Sequence, residues 1–321
     1  MNIAQIGNLV PPHSTENEVR RALTEALGHT VWTVQEDNNN RWSVLIERIA
    51  EFDVVIWTRT ADLCKRIPLA VQREMLVKAR RAGTPTIGYH LDRFHGLQGR
   101  TEAVWTEPYF HCEFFVNTDG AHAAEFAAAG VNAVWSPPGV SEFECTPGMP
   151  RDEYRSDVCF IGSWRSYHDE WPHRTQLTTH LRDRGAAMWP KPGEHAIRQE
   201  NLRDLVASST IIVGDSCLAP RADGGPMHSY LSDRLPELIG RGGFLLHPYV
   251  DGVTDGTVFT DGEHLVTWKL GDFDDLDRKI DYYLAHPDER ERIAKAGAAH
   301  VAENLTYTVL LRKVLEAVCP S

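Results

Sequence analysis

A chain of 321 residues, 42% hydrophobic and 24% charged, is long enough for two ordinary domains with a core in each, and its composition excludes a disordered chain. The formal net charge of −12 excludes a uniformly basic surface, so a nucleic-acid partner would need a local basic groove that the total conceals. The six cysteines form no CxxC pair and no run is long and apolar enough to span a bilayer, which argues against a zinc or disulfide framework and against a membrane span. With neither a basic n-region nor an apolar h-region after Met1, the expected location is the cytoplasm.

The chain opens with strand, glycine turn, helix. Asn2 to Leu9 is an apolar run broken at Gly7-Asn8; Pro11-Pro12-His13-Ser14-Thr15 follows, and Glu16 to Leu27 carries a helical pattern. Thr15 with Glu18 three residues on predicts a capping box at the helix start. The N–H groups there either bind an anion or belong to an ordinary capped helix, and no GxGxxG dinucleotide fingerprint is present. Strand-like runs at His29 to Val34, Phe52 to Thr58 and Thr86 to Tyr89 alternate with helices ending near Glu51 and Ala82, the pattern of a parallel sheet wrapped by helices on both faces. Directly after the last of these runs comes Tyr89-His90-Leu91-Asp92-Arg93-Phe94-His95-Gly96, the densest set of acid/base groups in this half. These groups either handle a proton or tie the loop together by hydrogen bonds. His90, Asp92 and His95 find no further residue to complete a metal ligand set, so no metal site is expected.

A strand at Phe114 to Asn117, an Ala-rich helix over Asp119 to Gly130 and a run at Val131 to Trp135 lead to Ser136-Pro137-Pro138-Gly139-Val140, which closes the first domain. Asp157 to Ile161, the glycine turn Gly162-Ser163-Trp164-Arg165 and a helix from Arg174 to Arg184 repeat the opening unit. That repetition predicts two similar domains, residues 1–145 and residues 146–305, and a last helix within 306–321. Gly162 lets a phosphate approach the backbone, and Ser163 and Arg165 are candidates to hold a diphosphate. A helix at Asn201 to Ser209, a strand at Thr210 to Gly214 and a Gly/Pro-rich loop at Arg221 to Met227 follow. Tyr230 to Asp261 then reads as a short helix carrying Ser232, Asp233, Arg234 and Glu237, a Gly242-Gly243 break, a strand at Phe244 to His247 and a Gly/Asp-rich loop. Ligands of open α/β sheets sit outside the carboxyl ends of strands, where a carboxylate can take both hydroxyls of a ribose and an arginine can fork onto a phosphate. A strand-like run at His264 to Trp268 and helices at Phe273 to Ala285, from Pro287, and at Thr306 to Val318 complete the chain.

The run from Glu237 through the Gly-rich break and strand to Asp251-Gly252, Asp261-Gly262-Glu263-His264 and the segment Asp281 to Arg290 resembles the C-terminal half of GT-B glycosyltransferases. It is most similar to the group-1-like branch that includes the spore-maturation CgeB-type enzymes, over about Asp157 to Val318. The resemblance implies an α/β GT-B architecture, two Rossmann-like doubly wound domains facing across a cleft, the first on the acceptor side and the second on the donor side, with the last helix returning to the first domain. It implies a nucleotide-sugar donor bound by Gly162, Ser163, Arg165, Asp233, Arg234 and Glu237, with Glu237 on the ribose. It implies a catalytic base from the first domain, Asp92 or secondly His90, and an acceptor beside His13, Arg93 and His95. Where many relatives carry a second glutamate, this chain reads Met227-His228-Ser229-Tyr230.

The expected activity is therefore a metal-independent hexosyl- or pentosyltransferase without a cofactor, moving a sugar from a nucleotide sugar to a hydroxyl. The acceptor is open among glycan, small molecule, protein and modified DNA base, the last being the one way nucleic acid enters. The alternatives are a non-catalytic nucleotide-sugar binding protein on the same fold, an epimerase, or a phosphorylase.

Overall fold

The computed structural model describes residues 1–59, 62–90, 103–163, 173–215 and 228–319. The chain divides into two compact units, Met1–Ser141 with Thr306–Ser321, and Glu142–Leu305. The first contains β1 (Asn2–Gly7), α1 (Thr15–Arg21) continued by a π-helical turn at Ala22–Ala26, β2 (Thr30–Gln35), α2 (Asn39–Arg48), β3 (Val54–Thr58) and α3 (Leu69–Ala82). It continues with β4 (Thr86–His90), α4 (Ala103–Thr106), β5 (Phe114–Asn117), α5 (Ala123–Ala128) and β6 (Ala133–Trp135). The second contains β7 (Ser156–Ile161), α6 (Arg174–Asp183), β8 (Ala187–Trp189), α7 (Gln199–Ser208), β9 (Ser209–Val213), α8 (Arg234–Gly240), β10 (Leu245–Pro248), β11 (Val266–Trp268), α9 (Phe273–Ala285) and α10 (Pro287–Asn304). The last helix, α11 (Tyr307–Val318), belongs to the first unit.

Both sheets are parallel, in the orders β2-β1-β3-β4-β5-β6 and β11-β10-β9-β7-β8. A parallel strand is covered on both faces, which is why β3, Val-Val-Ile-Trp-Thr, is buried at every position. Its alternate residues enter different cores. Val55 and Trp57 join Trp42 and Leu45 of α2 and Met75 of α3, whereas Val54 and Ile56 join Val19 of α1 and Tyr307, Leu311 and Leu315 of α11. In the second unit Val158 and Phe160 of β7, Ile211 and Val213 of β9 and Leu246 of β10 meet Leu177 and Leu181 of α6 and Leu276 and Ile280 of α9.

Two expectations are corrected. The first helix is capped by Ser14, not Thr15: Ser14 is extended (φ −73°, ψ 151°) and its hydroxyl accepts the Asn17 N–H, while Glu18 lies 3.6 Å from Arg21 instead of closing a capping box. The edge strand β8 is an addition to the expected elements, because three residues are too few to set a hydrophobic period.

Candidate functional site

Each strand order reverses once, between β1 and β3 in the first sheet and between β7 and β9 in the second. The crevice outside the carboxyl ends at such a reversal is where an open α/β sheet receives a ligand.

In the first unit that position is filled by the protein's own carboxylate. A Cβ on Gly7, the last residue of β1, would stand 2.6 Å from Glu16 Cγ and 3.3 Å from the Thr58 carbonyl oxygen. Glu16 is wholly buried in the first turn of α1, where a negative charge suits the helix dipole. Of the two readings of this helix start, an ordinary capped helix or an anion site, the structure gives the first. Beside it lie Glu36, which follows β2, and Arg59, which follows β3, the latter paired with Glu107. Burial raises the Glu36 carboxyl to about 7, against the pull of Arg59 and of the neighbouring Cys64 and Trp57.

The second reversal is built differently. β7 is followed by Gly162 (φ +156°) and the exposed Ser163, and β9 by Gly214 and the buried Asp215. Arg174, at the start of α6, joins the two ends. Its Nε lies 3.0 and 3.1 Å from the Asp215 carboxylate oxygens, its Nη2 donates to the Asp215 carboxylate and carbonyl at 2.6 and 2.8 Å, and its Nη1 donates to the Ser163 carbonyl at 3.0 Å. The guanidinium also stands 5.6 Å from the Phe160 ring. Burial pushes the Asp215 carboxyl up, and Arg174 opposes the shift.

Ser232 and Asp233 precede α8 instead of lying within it, and the Ser232 hydroxyl accepts the Arg234 N–H. One turn on, the Glu237 carboxylate sits 3.8 Å from Arg234 Nε and 3.7 Å from Arg241 Nη2. Among the described residues it accepts no hydrogen bond, so its lone pairs face charge without being spent. Arg241 is buried, donates to the Glu237 carbonyl at 2.6 Å and reaches Glu144 at 3.4 Å. The segment before α8 is fastened to the loop after β10: Ser229, in a left-handed conformation (φ +52°), donates its N–H to the Asp251 carbonyl, and a Cβ on Gly252 would meet Ser229 Oγ at 2.5 Å. His247 at the end of β10 is wholly buried; burial pushes its pKa down to about 4, so it stays neutral and its Nδ1–H donates to the Pro248 carbonyl.

Of the other expected residues, His13 is exposed in the loop after β1, and His90 is buried at the end of β4 with its ring against Tyr109 and Phe115. Asp92, Arg93, His95 and Arg165 lie outside the described residues. The Arg174–Asp215 pair and the Glu144–Arg241 brace escaped sequence reasoning. So did a pair at the end of β5, the strand beside β4: both oxygens of buried Asp119 approach His122 Nδ1, at 2.8 and 3.0 Å. That contact puts the proton on Nδ1 and the acceptor lone pair of the neutral ring on Nε2; its sequence signal is Asp-x-x-His at a strand end. Among the described residues no three His, Cys, Asp or Glu side chains converge on a metal position, and no helix is long and apolar enough to cross a membrane.

Comparison of the sequence with curated proteins gives no match. Solved structures match over nearly the whole chain at low identity. They include Anabaena Alr3699/HepE in complex with UDP (TM-score 0.62, 10% identity, 99% of each chain) and sucrose-phosphate synthase from Thermosynechococcus elongatus (TM-score 0.61, 10% identity, 99% of this chain and 98% of that one). A glycosyltransferase from Rickettsia africae matches with TM-score 0.58 at 13% identity, over 99% of this chain and 97% of that one. The shared fold is the GT-B architecture of two Rossmann-like parallel sheets. A model of the family described as glycosyl transferase-like matches residues 151–316, more than half of the chain, with β7, the Arg174 crossing and the Glu237 helix inside it; the chain belongs to that glycosyltransferase family.

Proposed function

We propose that the protein transfers a sugar from a nucleotide-sugar donor, held at the carboxyl ends of β7, β9 and β10, to a hydroxyl acceptor taken up by the first unit. The observation that carries this reading is the Glu237 carboxylate, held near two guanidiniums with no hydrogen bond from the described residues, in the unit whose strand reversal presents Gly162 and Ser163. Glu237 takes the ribose hydroxyls, and Arg234 and Ser163 take the diphosphate where Gly162, without a side chain, lets it approach, with Asp233 beside them and Arg165 completing the set. In this reading protein donors meet the charge of the departing diphosphate, so turnover needs no metal and no cofactor. The acceptor meets His13 and the loop after β4, where Asp92 or His90 takes its proton and Arg93 and His95 line the approach. The same reading assigns the chain to the CgeB-type branch, as a hexosyl- or pentosyltransferase.

Because structures of HepE hold UDP and UDP-glucose, uridine nucleotides are the first donors to try, followed by the guanosine, adenosine, thymidine and cytidine series. Melting temperatures of wild type and Glu237→Ala with each nucleotide test the placement. A bound nucleotide at a hundred times its Kd stabilises by about 2.7 kcal/mol. Loss of hydrogen bonds to a charged group should weaken binding in the variant by roughly ten- to a hundredfold. Undiminished affinity in Glu237→Ala would remove the ribose from this helix.

A further inference from the structure

Among the described residues Arg174 is the most heavily engaged guanidinium at the second strand reversal, and the Gly162-Ser163 segment, where the reading above places the donor diphosphate, lies against it. We propose that Arg174 is a positioning residue for that site: it sets the backbone of Gly162 and Ser163 against the end of β9, and it acts on the donor through that backbone. The inference rests on the donor reading above.

Three observations carry it. First, the contacts are directional. Nη1 holds the Ser163 carbonyl at 3.0 Å, while Nε and Nη2 hold the Asp215 carboxylate and carbonyl, so one rigid planar group spans the two strand ends on either side of the reversal. Second, the geometry is buried: Arg174 is 6% exposed, Asp215 5%, and the guanidinium is backed by the Phe160 ring of β7 at 5.6 Å. A pair this enclosed keeps its geometry, because either charge left alone there would be strongly destabilised. Third, among the described residues the held segment has little else to fix it. Gly162 has no side chain, its N–H donates to the Trp189 carbonyl at 2.9 Å, and Ser163 is exposed. Without the Arg174 hydrogen bond the Ser163 peptide is free to turn about the glycine, and displacement of about 1 Å at a binding backbone is enough to cost two orders of magnitude in a reaction that depends on positioning. An arginine whose Nε, Nη1 and Nη2 all point at protein acceptors is poorly placed to fork onto a phosphate as well, which separates its role from that of Arg234.

The test uses the full-length protein, calorimetric titration with UDP, GDP, ADP and TDP, and the nucleoside matching whichever diphosphate binds wild type. Arg174→Gln and Asp215→Asn should each weaken the diphosphate at least tenfold and the nucleoside less than twofold, because the base and ribose contacts lie on α8 and beyond. Arg174→Lys, which keeps the charge but cannot span Asp215 and Ser163 together, should resemble Arg174→Gln. Hydrogen exchange without ligand should quicken at the amides of Gly162, Ser163 and Gly214 and stay unchanged in β3 and β4. If Arg174→Gln does not fold, Asp215→Asn, which keeps the shape of the side chain, carries the comparison. A variant with a lowered Tm but unchanged diphosphate affinity overturns the positioning role and leaves the donor site standing. A wild type that binds none of the diphosphates overturns the donor reading, and the role of Arg174 with it.

Discussion

The two sheets begin with the same strand order and reverse at the same step, yet the two reversals are filled with opposite chemistry. At the first, Glu16 is buried against Gly7, and Glu36 and Arg59 are buried beside it, so the protein's own carboxylates take the place of an anionic ligand. At the second, the buried carboxylate of Asp215 is covered by Arg174, and Gly162 is followed by the exposed Ser163. A phosphate approaching the first reversal meets Glu16 packed against Gly7; approaching the second, it meets neutralised charge and a side-chain-free glycine. Fold alone therefore leaves the two halves alike; the side chains at one position of it distinguish them, and the proposed donor site rests on that difference.

The sharpest test of that contrast is the charge at the first reversal. In the unfolded chain Glu36 gives up its proton near its ordinary value of 4.5, whereas in the folded protein burial holds the proton until about pH 7. Between those values the folded state binds more protons than the unfolded one, so this group's contribution to stability is complete below about pH 4.5 and falls as pH rises. The shift corresponds to about 3 kcal/mol at most. Glu36→Gln should therefore match wild type near pH 4.5 and become more stable than wild type by up to about 3 kcal/mol at pH 8, read from urea midpoints at the two pH values. A difference that does not change with pH would mean that the first reversal is not a charged, water-excluded site.

Next in size is the pair of glycines. Gly7→Ala drives a methyl group to 2.6 Å from Glu16 Cγ and should cost about 1–3 kcal/mol by overpacking, with nucleotide affinity unchanged. Adding Glu16→Ala to it should recover part of the loss. Among the described residues Gly162→Ala meets the Phe160 ring, at an ordinary 3.4 Å, so its penalty is the backbone conformation, about 1–3 kcal/mol, and its main effect should be weaker diphosphate binding. Exchange of those two phenotypes, with Gly7→Ala abolishing nucleotide binding, would move the donor to the first unit.

Much of the fold is legible in the sequence, because its signals are local. The apolar run of β3, the glycine after β7 and the helical period of α9 each announce themselves within a few residues. The chemistry at the reversals is not, because it is made by partners far apart in the chain: Arg174 with Asp215 is a separation of 41 residues, and Arg59 with Glu107 one of 48. Nothing in the helix that begins at Arg174 distinguishes a buried, doubly anchored arginine from a solvated one. Likewise, Glu16 reads as an ordinary acidic residue of a helix's first turn until β1 and β3 are placed side by side. The start of α1 shows a subtler limit. Ser14 and Thr15 are both capping residues, and Glu18 favours Thr15 by spacing, but Asn17 decides for Ser14. Its side-chain amide donates to the Leu9 and Pro11 carbonyls and to the Ser14 hydroxyl, fixing the loop that Ser14 ends.

That one-residue difference bears on the comparison, and it gives the smallest of the effects. Ser14→Ala should cost about 1 kcal/mol, the usual loss of an N-cap hydroxyl, and Thr15→Ala within about 0.5 kcal/mol of nothing, both read as shifts in Tm. With Ser14 as the N-cap, Glu16 is the second helical residue, and from there its side chain meets Gly7. If Thr15→Ala proved the costlier change, the Asn17 brace would not fix the start of α1, and the loop between β1 and α1 would be set by Thr15 and Glu18 instead.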